Sequence, residues 1–314
     1  MVYVMTANSP VPTTVFTGFL GSGKTTIISH LILALRAKNV NVVYIKNEIG
    51  EADLDAKLMR GENIVSREIL NGCICCTLVG PFSSAVEEIV NTYAPDRLII
   101  ESAGTADPAS MALMVSDHPL LERDGVISII DVLNFEGYQD LSPVAKRQAQ
   151  MTDLIVLNKV ELTELEQRRR VVGYIRELNE RSPIVEAPEG KLNLDLVFGI
   201  SVQDIEMLHN QNSTSAHEHL EDDQIEAITF RSDEIFAKEK LLAALESLPK
   251  SVFRIKGIVN FPSGPEIVNI IFNRVTFSPL PENIEAGQTE LICIGFKIGA
   301  IKKRVFKTLA VAAR

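Results

Sequence analysis

The chain has 314 residues, 46% of them hydrophobic and 23% charged, with 18 glycines and 14 prolines. These ordinary values exclude a disordered chain, a fibrous repeat and a small disulfide-stapled fold, and the length predicts two domains. With 31 basic against 41 acidic residues, the net charge of −10 opposes a broad grip on nucleic-acid phosphates or anionic lipid, so neither nucleic acid nor membrane is expected as a partner.

Residues 1–12 read as a flexible N-terminal segment. Met1 to Pro12 lacks the basic start and apolar run of a signal peptide, and no stretch approaches the roughly 20 apolar residues of a membrane span, so the cytoplasm is the expected compartment. Residues 13–208 read as one α/β domain. Short apolar runs at Thr14–Thr17, Val42–Ile45, Leu98–Ile100, Val126–Ile130, Leu154–Leu157 and Ile184–Glu186 alternate with segments of helical spacing at Thr25–Ala37, Phe82–Tyr93, Pro108–Val115 and Leu162–Leu178. Most of the runs lack polar alternation, which predicts a doubly wound, mostly parallel sheet with helices on both faces. Residues 209–223, with three histidines and a closing acidic cluster, read as a linker. Residues 224–314 predict a small α+β domain with an antiparallel sheet: strand Ile225–Arg231, helix Glu234–Leu248, strands Val252–Phe261, Glu266–Phe277 and Glu290–Phe296, and helix Ala300–Ala313.

Three motifs fall at the carboxyl ends of predicted strands, the edge where open α/β sheets bind ligands. Gly18-Phe19-Leu20-Gly21-Ser22-Gly23-Lys24-Thr25 fits G-x-x-x-x-G-K-[ST] between a strand and a helix. In such a loop, glycines let consecutive backbone N–H groups wrap a phosphate at a helix N-terminus. Lys24 would then reach the β and γ phosphates, and the Thr25 hydroxyl would ligate Mg²⁺. Glu101 ends the run DRLIIE as a candidate second carboxylate for Mg²⁺, the plain alternative being a helix cap or loop charge. Asn158-Lys159-Val160-Glu161 resembles the NKxD element with which GTPases read guanine, with Glu161 where Asp is usual; the plain alternative is a polar turn opening a helix.

Cys73, Cys75 and Cys76 are too close in sequence to form a disulfide framework, and in a reducing compartment they point to metal or redox chemistry. Three thiolates suit Zn²⁺ or Cu⁺, or Co²⁺ where geometry allows; structural cysteines are the alternative. Cys293, alone in an apolar strand, reads as core. Glu48 stands at the ligand edge beyond the second strand, as a site carboxylate or a solvated loop acid. His217 and His219 read as a loose metal collector or as ordinary polar linker.

GFLGSGKTT, NEIGEADLD, NGCICCTL, ESAGTADP and LNKVEL, in that order, resemble the CobW family of P-loop GTPases and metallochaperones. The resemblance continues through Ser251–Phe261, with Arg254, Lys256 and Gly257, and through Leu291–Gly295. It implies a GTPase whose nucleotide state controls a metal at the C-x-C-C motif and which delivers that ion, Zn²⁺ or Co²⁺, to a client metalloprotein or cofactor pathway. On that basis Gly18 and Gly21–Thr26 (including Ser22, Gly23 and Thr26) hold phosphates, and Thr25 and Glu101 hold Mg²⁺. The ion falls to Cys73, Cys75 and Cys76, with Glu48. The alternatives are a regulatory or assembly GTPase with structural cysteines, and an ATP-dependent enzyme such as a small-molecule kinase. No arginine finger or water-orienting glutamine can be assigned, so slow hydrolysis is expected. The oligomeric state is left open.

Overall fold

The computed structural model of the protein describes residues 10–47, 64–68, 79–102, 108–135, 152–180, 182–198, 225–249, 251–271, 274–280 and 287–313. The backbone divides into two compact units, Met1–Leu192 and Asn193–Arg314. The predicted linker 209–223 lies outside the described residues.

The first unit holds a seven-stranded, fully parallel sheet of β1 (Val11–Thr17), β2 (Val42–Asn47), β3 (Ile64–Glu68), β4 (Arg97–Ser102), β5 (Leu121–Asp131), β6 (Leu154–Asn158) and β7 (Ile184–Ala187), in the order β3-β2-β4-β1-β5-β6-β7. From β1 the chain runs to β2 on one side, and later to β5, β6 and β7 on the other. The reversal opens a crevice at the carboxyl end of β1, the place where such sheets take ligands.

Helices cover both faces, as doubly wound sheets require. Helix α1 (Lys24–Ala37) follows β1, and α2 (Val79–Tyr93), α3 (Pro108–Asp117) and α4 (Leu165–Leu178) follow β3, β4 and β6. Phe82, Val86 and Ile89 of α2 and Met111, Ala112 and Val115 of α3 pack on Val15, Val43, Ile45, Leu98 and Ile100. Val171 and Ile175 of α4 cover Ile155 and Leu157. Alternation along β4 turns Glu101 to the face opposite Ile100, and it is from that face that α1 brings Thr25 to it.

The second unit is an antiparallel sheet of β8 (Ile225–Ser232), β9 (Val252–Phe261), β10 (Gly264–Ile271), β11 (Arg274–Pro279) and β12 (Thr289–Phe296), in the order β11-β10-β9-β12-β8. A short helix, α5 (Leu194–Phe198), belongs to it through the buried guanidinium of Arg254, which donates to the Val197 carbonyl at 2.6 Å. Leu241 and Leu245 of α6 (Lys238–Glu246) and Val305 and Leu309 of α7 (Lys302–Val311) cover one sheet face.

Several elements differ from the sequence reading: β1 begins at Val11, inside the segment read as flexible, β5 begins at Leu121 rather than Val126, and α5 was not anticipated. The run Glu266–Phe277 is two strands, with Ile271 paired to Arg274. It contains no glycine or proline to mark the reversal, yet as one strand it would overrun its ten-residue partner β9. Strand β3 was not anticipated, because IVSRE is half polar; it pairs with β2 at the sheet edge. Helix α6 starts after Ala237 rather than at Glu234, since the Phe236 N–H donates to the Asn260 carbonyl and its ring is fully buried. A 3₁₀ turn, Val160–Leu162, precedes α4, which begins at Leu165 rather than Leu162.

Candidate nucleotide-binding site

The loop from Gly18 to Gly23 is folded in a way that only glycine tolerates at two places. Gly18 has φ 144°, and a Cβ there would lie 2.3 Å from the Ile129 carbonyl oxygen. Gly23 has φ 93°, and a Cβ there would lie 2.2 Å from Asn158 Nδ2. Gly21, between them, has φ 78°. The loop ends in helix α1, which no side chain caps among the described residues. The first N–H groups of a helix without a cap, carrying its positive dipole end, suit a phosphate.

Lys24 opens α1 and is only 5% exposed. Its ammonium donates to the Gly18 and Phe19 carbonyls at 3.0 and 3.1 Å, so its charge is directed into the loop. Thr25 is next, and its hydroxyl is shared by the Glu101 oxygens, 3.0 Å from Oε1 and 3.1 Å from Oε2. Glu101 is 2% exposed and takes a further hydrogen bond on Oε2 from the Tyr44 hydroxyl. Ser102 Oγ donates to the Phe16 carbonyl at 3.1 Å, fastening the end of β4 to that of β1. Thr26 is exposed on α1, and a Cβ on Gly190 would come 3.6 Å from its methyl group.

The second motif reaches the same crevice. Asn158, buried at the end of β6, donates from Nδ2 to the Ser22 carbonyl at 2.8 Å, so it braces the phosphate loop. Lys159 has φ 60°, and its ammonium meets Asp131 Oδ2 at 2.6 Å. Asp131 ends β5 and also accepts from the Leu133 and Asn134 N–H groups and from Asn134 Nδ2. Burial pushes its carboxyl up, but the hydrogen bonds from Lys159 and Asn134 outweigh burial and hold it below the usual carboxylate value.

Glu161 turns toward the end of β7. Its Oε2 accepts the Glu189 N–H at 3.0 Å. Glu189 has φ 53° and sits in the 3₁₀ turn Pro188–Gly190, whose last carbonyl lies 3.0 Å from His30 Nδ1 on α1. The strand ends of β1, β4, β5, β6 and β7 therefore contribute to one crevice, the glycine loop at one end and a polar corner at the other.

Residues 12–186 match the family described as CobW/HypB/UreG, nucleotide-binding domain, and residues 225–309 match the cobalamin synthesis protein cobW C-terminal domain. The chain belongs to the CobW family of P-loop GTPases. It is similar to the zinc chaperone YjiA of Escherichia coli, at 28% identity over 60% of this chain and 61% of that one. A zinc chaperone CobW from a Sinorhizobium species is 25% identical over 81% of this chain and 83% of its own. The zinc-regulated GTPase metalloprotein activator 1 of Schizosaccharomyces pombe is 31% identical over 66% of this chain and 52% of its own. The match thus spans 61% of the length of YjiA and 52% of the fission-yeast protein.

For this CobW-family chain, the structure brings Gly18, Gly21, Ser22, Gly23, Lys24, Thr25, Glu101, Asn158, Lys159 and Glu161 to one crevice. Glu48, Cys73, Cys75, Cys76, His217 and His219 lie outside the described residues. Among the described residues, no group of three or more His, Cys, Asp or Glu side chains is placed to hold a metal ion. Cys293 is fully buried in β12, and burial pushes its thiol up to about 12. Sequence reasoning missed Tyr44, Asp131 and Glu189. Asp131 could have been found as an acid ending a buried run, as Glu101 was, and Glu189 from the turn signal Pro188-Glu189-Gly190 directly after a strand. Tyr44, in the apolar run VVYI, gave no signal.

Proposed function

We propose that the chain is a GTP-hydrolysing metallochaperone: it binds Zn²⁺ or Co²⁺ at Cys73, Cys75 and Cys76, with Glu48, and passes the ion to a client metalloprotein or cofactor pathway as its nucleotide state changes. The observation that carries the nucleotide half is the arrangement of buried Lys24 and Glu101 with half-buried Thr25 beside a glycine loop at an uncapped helix end. Backbone N–H groups of Gly21 to Thr26 and the Lys24 ammonium would hold the phosphates. Thr25 and Glu101 would hold Mg²⁺, which on binding neutralises phosphate charge. Lys159 and Glu161 would face the base.

The metal half rests on chain position, on the chemistry of thiolates and on the names of the relatives. Glu48 follows Asn47, which is in register with Ser102 beside Glu101. Cys73, Cys75 and Cys76 fall between β3 and α2, within the stretch joining the two Mg²⁺ candidates. P-loop GTPases place segments ordered by the γ-phosphate in such connections. Coupling between the two sites of about 1.4 to 2.7 kcal/mol would change metal affinity tenfold to a hundredfold.

The test is competition for Zn²⁺ or Co²⁺ against a chromophoric chelator, with a non-hydrolysable GTP analogue or GDP present, on wild type and Cys75→Ser/Cys76→Ser. The analogue should tighten metal binding relative to GDP, and the double variant should lose the site. Equal metal affinity in both nucleotide states would remove the transfer mechanism and leave a GTPase with structural cysteines.

A further inference from the structure

The Glu101 carboxylate receives hydroxyl groups from two separate elements, Thr25 of α1 and Tyr44 of β2. Tyr44 stands among Val42, Val43 and Ile45 and is one of the largest fully buried side chains of the protein. A phenylalanine would fill the same space without a polar atom, and a buried hydroxyl is costly unless it is bonded. Here the hydroxyl goes to a carboxylate, a charge-assisted bond and so among the stronger kinds.

The strand register explains how the phenol reaches its partner. Tyr44 lies beside Ile99, and Glu101 is two residues farther along β4 on the same sheet face. The ring leans along the strands toward their carboxyl ends, where it meets Oε2. On β1, the other strand beside β4, the residue in register with Ile99 is Thr14, whose hydroxyl donates to Asp124 at 3.2 Å, and the residue in register with Glu101 is Phe16.

We infer that Tyr44 is a positioning residue for Glu101, holding its carboxylate in the orientation in which Thr25 and the Mg²⁺ of a bound nucleotide are received. The inference rests on the nucleotide reading proposed above. A carboxylate's terminal torsion is broad and roughly two-fold, so a single donor leaves it free to swing. A second donor on another strand removes that freedom before the ion arrives, which spares the ordering cost at binding. Tyr44 acts through Glu101. Its removal therefore weakens the dependence of nucleotide binding on Mg²⁺ and leaves the direct contacts of Lys24 and the glycine loop in place.

The experiment is titration of Mg²⁺ into the full chain with fluorescent GDP, for wild type and Tyr44→Phe, each also measured in EDTA and by thermal melting. In the variant the half-saturating Mg²⁺ concentration should rise about tenfold, as for loss of one hydrogen bond to a charged group. Affinity in EDTA should not change. In a Glu101→Gln background, Tyr44→Phe should have no further effect, because the two act as one unit. If wild type binds no GDP, the nucleotide reading fails and takes this inference with it; if it binds GDP without dependence on Mg²⁺, the assignment of Mg²⁺ to Thr25 and Glu101 fails, and this inference with it. If wild type depends on Mg²⁺ and Tyr44→Phe has the same half-saturation point, Tyr44 has no positioning role and the nucleotide reading stands. Should Tyr44→Phe not fold, wild type labelled with 3-fluorotyrosine decides the matter. With Tyr3, Tyr93, Tyr138 and Tyr174 assigned by replacement, the Tyr44 fluorine resonance should shift when Mg²⁺ joins the GDP complex, and an unmoved resonance would overturn the inference.

Discussion

At the phosphate end of the crevice, Ser22, Glu101 and Lys24 are 1%, 2% and 5% exposed, whereas at the polar corner Glu161 and Glu189 meet at the surface. The first end is bonded inward. Lys24 is held by two loop carbonyls, Thr25 by Glu101, and the loop itself by Asn158. The second is assembled from short turns after β6 and β7, with non-glycine residues at φ 60° (Lys159) and φ 53° (Glu189). Under the proposed function, the phosphate end is thus preorganised and intolerant, while the base end is adjustable. Substitutions should divide along that line.

The largest effects are expected at the two glycines. Gly18→Ala would press a methyl group on the Ile129 carbonyl, a backbone atom that cannot step aside, in a conformation that costs of order 1–3 kcal/mol for a side-chain-bearing residue. Nucleotide binding measured by calorimetry should be abolished. Gly23→Ala meets the amide of Asn158 instead, so Asn158→Ala in the same chain should restore part of the lost binding; no recovery would mean that the loop is limited by backbone strain alone. Lys24→Ala comes next. It should weaken GTP by about a hundredfold, or 2.7 kcal/mol, with the circular-dichroism spectrum unchanged. Unchanged GTP affinity would sink the phosphate-loop reading.

At the polar corner the changes should be smaller. Glu161→Asp shortens the side chain that accepts the Glu189 N–H, a solvent-exposed bond, so its cost to stability should stay below about 1 kcal/mol. Its effect should show in the ratio of GTP to ATP affinity, raised by about fivefold or more if the side chain reads guanine. An unaltered ratio would detach Glu161 from base selection. The smallest expected effect is pH-dependent. Asp131 has a folded-state pKa below its ordinary 3.8, so the stability it contributes is present above that value and is lost as pH falls through the lowered one. Asp131→Asn should flatten the acid limb of a urea-unfolding series, and an identical slope in wild type and variant would show that the Lys159 pair is screened by solvent.

The same contrast sets what the sequence could disclose. The glycine loop and its neighbours were legible because their demands are local: glycine where φ is positive, lysine and threonine at the start of a helix, an acid ending a buried strand. The α/β alternation was legible for a similar reason, since strands buried on both faces are apolar without interruption. Tyr44 was not, because its role depends on the register between β2 and β4, and a tyrosine in an apolar run looks like any other core residue. Asn158 was recognised within its motif, but its grip on the Ser22 carbonyl is a tertiary fact. The reversal after Ile271 escaped for want of a glycine or proline, and β3 because an edge strand need not be apolar.

The enclosure of Cys293 has a practical consequence for spectroscopy. Its thiol is walled into the second sheet and stays protonated far above neutral pH. The chain contains four cysteines, so any thiol that a mild reagent reaches in the folded state belongs to Cys73, Cys75 or Cys76. A spin label or fluorophore that attaches to the folded chain therefore reports on that motif in the natural sequence, without first deleting the fourth cysteine. Denaturing the labelled sample and titrating again then returns Cys293 together with whichever motif thiols the reagent had not reached, so the difference from one counts the unlabelled motif cysteines.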